Sequence, residues 1–99
     1  MKMYVLVRKD LGMPYKYVQG IHATSVLSSD FYNSCNFEKT TAIVVEVRNE
    51  KELMLWRDKM DYFKVDHSYF LEPDLNNQLT SVACLSSDEE FFKSLPLAE

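Results

Sequence analysis

Two continuous apolar runs, set far apart in the chain, limit what it can fold into more than any other feature. Residues 3–8 and Thr41-Ala42-Ile43-Val44-Val45-Glu46-Val47 are rich in β-branched side chains throughout, the pattern of strands covered on both faces. The stretch between them reads as a helix. Pro14 suits a first helical turn, where its missing N–H costs nothing, and Val18, Ile21, Val26 and Leu27 approximate one apolar stripe as far as about Ser28. Strand, helix and strand in this order form a right-handed parallel unit.

Local signals place the later elements. Asn49 followed by Glu52 has the form of a capping box, and Leu53, Trp56 and Met60 give the next helix a buried face ending near Tyr62. Residues 66–72 read as a third strand and residues 79–85 as a fourth. Between them residues 74–77 form a turn of residues that tolerate unusual backbone angles, either in a hairpin or in a crossover. Ser86 or Ser87, with Glu89 or Glu90 three residues later, predicts a last short helix carrying Phe91, Phe92 and Leu95 before Pro96. The order is β-α-β-α-β-β-α, an α/β chain in which residues 29–39 are irregular or a short helix.

At 99 residues the chain makes one domain spanning 1–99, because a domain of this size buries only about two thirds of its unfolded surface and has no room for two cores. Its 46% hydrophobic content argues against disorder. No apolar run approaches the roughly 20 residues that span a bilayer, and the N-terminus lacks the pattern of a secretory signal. The expected compartment is therefore the cytoplasm, with no membrane partner. Cys35 and Cys84 form no Cys-x-x-Cys motif and read as reduced packing residues. Two separated histidines without a Cys/His cluster fall short of a metal site.

The net charge of −4 opposes an ordinary nucleic-acid domain, whose phosphate contacts depend on clustered lysine and arginine. Lys2, Arg8, Lys9 and Lys16 nevertheless fall together near the N-terminus, while acids such as Asp88-Glu89-Glu90 come late.

Chemistry is expected in two polar segments. One, from Arg8 to Ala23, follows the first strand, and the other, from Glu72 to Thr80, follows the third. Both therefore belong at the mouth of a sheet, where α/β folds place their ligands.

These segments carry an Arg-x-Asp-Leu-x-Met turn, a lysine near a helix start, Gln-x-x-His-Ala on that helix and a Glu-Pro-Asp-Leu loop leading to Leu-Thr. In that combination the chain resembles the type II peptidyl-tRNA hydrolase family, in particular its short phage and bacterial members. The resemblance implies a four-stranded mixed sheet flanked by helices. It also implies an enzyme that hydrolyses the ester between a peptide and the ribose of tRNA without a metal or organic cofactor, often as a homodimer. Lys16, His22, Asp74 and Thr80 would be the catalytic residues. Arg8, Lys9, Tyr15, Gln19, Asn76 and Gln78 would contact substrate.

Ester hydrolysis needs a base to activate water and positive charge or N–H groups beside the developing oxyanion. Asp74 could orient the water and Lys16 could face the oxyanion or a phosphate. The plainer alternatives are turn capping for Asp74 and a partly buried structural role for His22; Glu72 reads either as a second carboxylate of the site or, in preference, as an exposed strand end. His22-Ala23-Thr24 also matches the His-x-Thr core of two-histidine phosphoesterases, but His67-Ser68-Tyr69 does not supply the required second motif.

Where the family has Gly-Lys-Gly-Lys this chain has Pro14-Tyr15-Lys16-Tyr17, a shrunken approach for tRNA. A second reading therefore keeps the fold and exchanges the substrate for a small nucleotide, as in a phage enzyme or sponge acting on a dinucleotide immune signal in the cytoplasm of a bacterial host. A third is a non-catalytic protein-interaction domain.

Overall fold

The computed structural model describes residues 1–99, and the two apolar runs lie side by side in it. β1 (Lys2–Arg8) and β2 (Thr41–Val47) pair in parallel, with Lys2 opposite Thr41 and Arg8 opposite Val47. α1 (Tyr15–Asp30) connects them. α2 (Glu50–Tyr62) follows, with the Glu52 N–H donating to Asn49 Oδ1 at 3.0 Å as the capping pattern requires. β3 (Asp66–Glu72) and β4 (Gln78–Ser86) are antiparallel neighbours, and β4 is antiparallel to β1. The result is a mixed four-stranded sheet in the order β2-β1-β4-β3.

Of the two connections open for β3 and β4, the hairpin is the one formed. One 3-10 turn spans Pro73–Leu75, and Asn76 and Asn77 then take φ of 53° and 60°, left-handed values that the short polar side chain of asparagine tolerates.

A helix covers each face of the sheet. On one, Leu53 and Met60 of α2 seal Tyr4, Leu6, Val45, Val47 and Val82 into the main core, joined by Phe92, whose ring stacks on Tyr4 at 4.1 Å. On the other, Ala23 and Leu27 of α1 lie on Ala83 and Leu85. The helix comes close because Gly20 has no side chain. A Cβ there would stand 3.1 Å from Val7 Cγ1 and 3.2 Å from Val5 Cγ1.

Three expectations are corrected. First, the inward stripe of α1 is not the apolar one. Its buried residues are Lys16, Gln19, Gly20, Ala23 and Leu27, whereas Val18 is 41% and Ile21 64% exposed. Buried polar groups are tolerated where partners meet them, and the mouth of the sheet supplies those partners. Second, the last helix is a single 3-10 turn, Glu89–Phe92, capped by Asp88 rather than by Ser86 or Ser87. Phe92 is drawn onto Tyr4, and beyond the turn the chain extends along the free edge of β2. There the Glu46 N–H donates to the Pro96 carbonyl at 2.9 Å and the Ala98 N–H to that of Val44 at 3.0 Å. Third, β2 is not covered on both faces along its whole length, since Thr41 and Ala42 are exposed. No helix is long and apolar enough to cross a membrane.

Candidate functional site

The N-terminus of α1, the C-terminal ends of β1, β2 and β3, and the start of β4 meet at one end of the sheet, and buried polar side chains collect there. Lys16 points inward from the first turn of α1 and donates to Glu46 Oε2 of β2 at 2.6 Å, both residues more than nine-tenths buried. The hydrogen bond to Glu46 is the main reason that the Lys16 pKa is raised, against the opposing effect of burial. The charges of Glu46, Tyr17 and Glu99 add to it. This ammonium is protonated and already neutralised.

A second network begins at a β-bulge. Phe70 stands opposite Ser81 but Leu71 opposite Leu79, so Thr80 is an extra residue in β4. A bulge re-aims the side chains around it, and here Thr80 and Ser81 both turn to the α1 side. The Thr80 hydroxyl donates to Gln19 Oε1 at 2.7 Å, and Gln19 Nε2 donates in turn to Glu72 Oε1 at 3.1 Å. The Tyr15 hydroxyl donates to the same oxygen at 3.1 Å. Burial raises the Tyr15 pKa most, followed by the hydrogen bond to Glu72 and the charges of Glu72 and Asp74. No buried side-chain nitrogen or oxygen in the protein lacks a partner.

The bulge is held from two sides. Arg8 Nη1 donates to the Leu79 carbonyl at 2.9 Å and to Gln78 Oε1 at 3.0 Å, while its other nitrogens grip Asp10 in a two-point pair at 2.8 and 3.0 Å. Glu50 at the start of α2 accepts the Leu79 N–H at 2.8 Å. Leu79 is thus fixed by both its N–H and its C=O, which sets where Thr80 can stand.

Six of the residues singled out in the sequence, Arg8, Tyr15, Lys16, Gln19, Gln78 and Thr80, belong to these connected groups. The other four lie outside them. Asp74 is exposed in the turn and makes no hydrogen bond, so it neither caps its own backbone nor joins the network, although its charge reaches Tyr15. Asn76 serves the turn through its left-handed backbone. His22 is exposed, its ring stacked on Phe70 at 4.5 Å. Lys9 is exposed beside a cavity of about 480 Å3 that it shares with Glu46, Arg48 and Trp56. Of the four early cations, Lys2 pairs with Glu89, Arg8 with Asp10 and Lys16 with Glu46, and Lys9 alone has no carboxylate partner.

Sequence reasoning passed over Glu46 and Glu50, and it favoured an exposed strand end for Glu72, which is in fact only 9% exposed. The signal for Glu46 was available, since it is the one charged residue inside an otherwise apolar strand. His67 forms a separate surface pair with Asp61 at 3.1 Å. Both cysteines are free, and burial pushes the Cys84 thiol up to about 12, far from a nucleophile's range. No three His, Cys, Asp or Glu side chains gather as a metal site would need. No family model matches the chain, and no curated protein matches it.

Proposed function

We propose that the protein is a hydrolase of the type II peptidyl-tRNA hydrolase kind, cleaving the ester that joins a peptide to the ribose of tRNA. One observation supports this most. Lys16 and Gln19, on the first turns of α1, and Thr80, 61 residues beyond Gln19 on β4, are three of the residues the resemblance singles out, and they meet at the mouth of the sheet. Two of them share the 2.7 Å hydrogen bond that the Thr80 bulge makes possible.

In this reading water, activated by a carboxylate at the mouth of the sheet, attacks the ester carbonyl. Lys16 donates one of its three N–H groups to Glu46 and has two more for the oxyanion. Gln19 and Thr80 hold the wall of the site in place. Phosphate contacts fall to Lys9, the early cation left unpaired.

The test is chromatographic. Purified protein is incubated with an N-blocked aminoacyl-tRNA and, separately, with cyclic and linear dinucleotides. Release of the blocked amino acid from tRNA, lost in Lys16→Ala, is the expected result. Intact tRNA ester together with a dinucleotide consumed or retained would replace this reading with the small-nucleotide one.

A further inference from the structure

The carboxylates at the mouth of the sheet differ in what they are free to do. Glu46 is committed to Lys16, Asp10 to Arg8 and Glu50 to the Leu79 N–H. Asp74 is open to solvent, but nothing fixes its direction. Whereas Glu50 is held only by a backbone N–H, Glu72 alone is held by two side-chain donors on one oxygen and left open at the other. Its Oε1 takes hydrogen bonds from Tyr15 and Gln19, and it pairs with no lysine, arginine or histidine. Its Oε2 makes no hydrogen bond within the protein, and since no buried side-chain oxygen is left unpartnered, solvent reaches that atom.

Glu72 also declines the local role its position offers. It precedes the 3-10 turn as the capping residue, yet its side chain accepts no turn N–H. It lies instead under α1. Ser68, Phe70 and Glu72 occupy one side of β3 and meet Asp30, His22 and the Tyr15/Gln19 pair in turn, so α1 fastens down the face on which Glu72 lies.

From this geometry we propose that Glu72 is the general base that activates water, in place of Asp74 or His22. The proposal rests on the hydrolase reading above. Glu72 Oε2 takes a proton from water as the water oxygen bonds to the ester carbonyl carbon, giving a tetrahedral oxyanion. On collapse the bond to the ribose oxygen breaks and the Glu72 carboxylic acid returns its proton to that oxygen. The products are the free peptide acid, which ionises, and tRNA with its hydroxyl restored, so Glu72 ends as it began. A base must be held within reach of the proton it removes, and two donors on one oxygen aim the other.

The experiment compares wild type with Glu72→Gln, Glu72→Asp, Asp74→Asn and His22→Ala on an N-blocked aminoacyl-tRNA, with folding followed by thermal unfolding. Glutamine keeps an oxygen for Tyr15 and Gln19 but presents an amide that takes no proton. The expected result is a fall in kcat of roughly 100-fold or more for Glu72→Gln, the scale of general-base catalysis, with KM little changed. Glu72→Asp, which retains a base at a shorter reach, falls in between, and Asp74→Asn and His22→Ala stay near wild type. If Glu72→Gln folds poorly, Glu72→Asp decides, because wild-type turnover in that shortened variant overturns the assignment. A large loss in Asp74→Asn or His22→Ala, with Glu72→Gln still active, also overturns it and leaves the hydrolase reading standing. A wild-type protein that never releases the acyl group brings down both.

Discussion

Against α2 the sheet sets Leu6, Val45, Val47 and Val82, closed in by Leu53 and Met60. Against α1, near the mouth, the opposite face of the sheet sets Glu46, Glu72, Thr80 and Ser81, every one more than nine-tenths buried. Apolar contacts of the first kind are non-directional and tolerate exchange among side chains of similar volume. Polar contacts of the second kind depend on each named partner, since one missing member leaves a buried group unsatisfied. One face can therefore be altered for stability without touching the polar network, whereas almost any change at the mouth of the other disturbs both stability and that network.

The sharpest test of that contrast is Leu53→Ala. A fully buried leucine truncated in a packed layer costs about 2–5 kcal/mol, read by urea denaturation, and ester turnover per folded molecule should stay at the wild-type level. Next, Lys16→Met leaves the Glu46 charge buried without its cation and should lower the midpoint strongly. Adding Glu46→Leu should recover most of that stability while restoring no turnover, a separation the α2 face cannot produce.

The pH dependence of this pair has a definite sign. The folded-state pKa of Lys16 lies above its ordinary 10.5, so the stabilisation is complete below that value and fades only as pH rises through the higher one. Alkaline titrations of wild type and of the double variant should converge there and nowhere in the neutral range.

Thr80→Val is milder. It keeps the shape and removes the donor to Gln19, an expected loss of about 1–3 kcal/mol, seen in denaturation together with a shifted Gln19 side-chain amide signal in NMR. The smallest effect belongs to Ile21→Ser. Exposed on the outer side of α1, it should change stability by less than about 0.5 kcal/mol, whereas an inward stripe containing Ile21 would make it one of the larger losses.

β2 and β3 were legible in the sequence to the residue, because Thr41–Val47 and Asp66–Glu72 are bounded by clear turn and cap signals. α1 was legible as a helix but not in its orientation. Counting apolar side chains turns Val18 and Ile21 inward. What turns Lys16 and Gln19 inward instead are Glu46 and Thr80, 30 and 61 residues further along the chain. No local pattern carries that information. The bulge did leave a trace that was passed over, since Gln78-Leu79-Thr80-Ser81-Val82 sets two polar residues side by side at Thr80-Ser81, where the pairing with β3 slips by one residue. Glu72 was misjudged because strand ends are usually wet and its covering helix comes from the other half of the chain. At the C-terminal end the capping pattern was real, but the attraction of Phe92 for Tyr4 outweighed it.

The segment laid along β2 has a consequence for how the molecule meets its neighbours. With the N–H of Glu46 and the C=O of Val44 already engaged, the sheet keeps one free border, β3. Chains with open borders recruit one another into extended ribbons. Two copies joined antiparallel along β3 and centred on it would set Asp66 of each against Glu72 of the other, and like charges directly opposed disfavour such pairing. A short tail and two acids thus protect a small sheet from polymerising with itself.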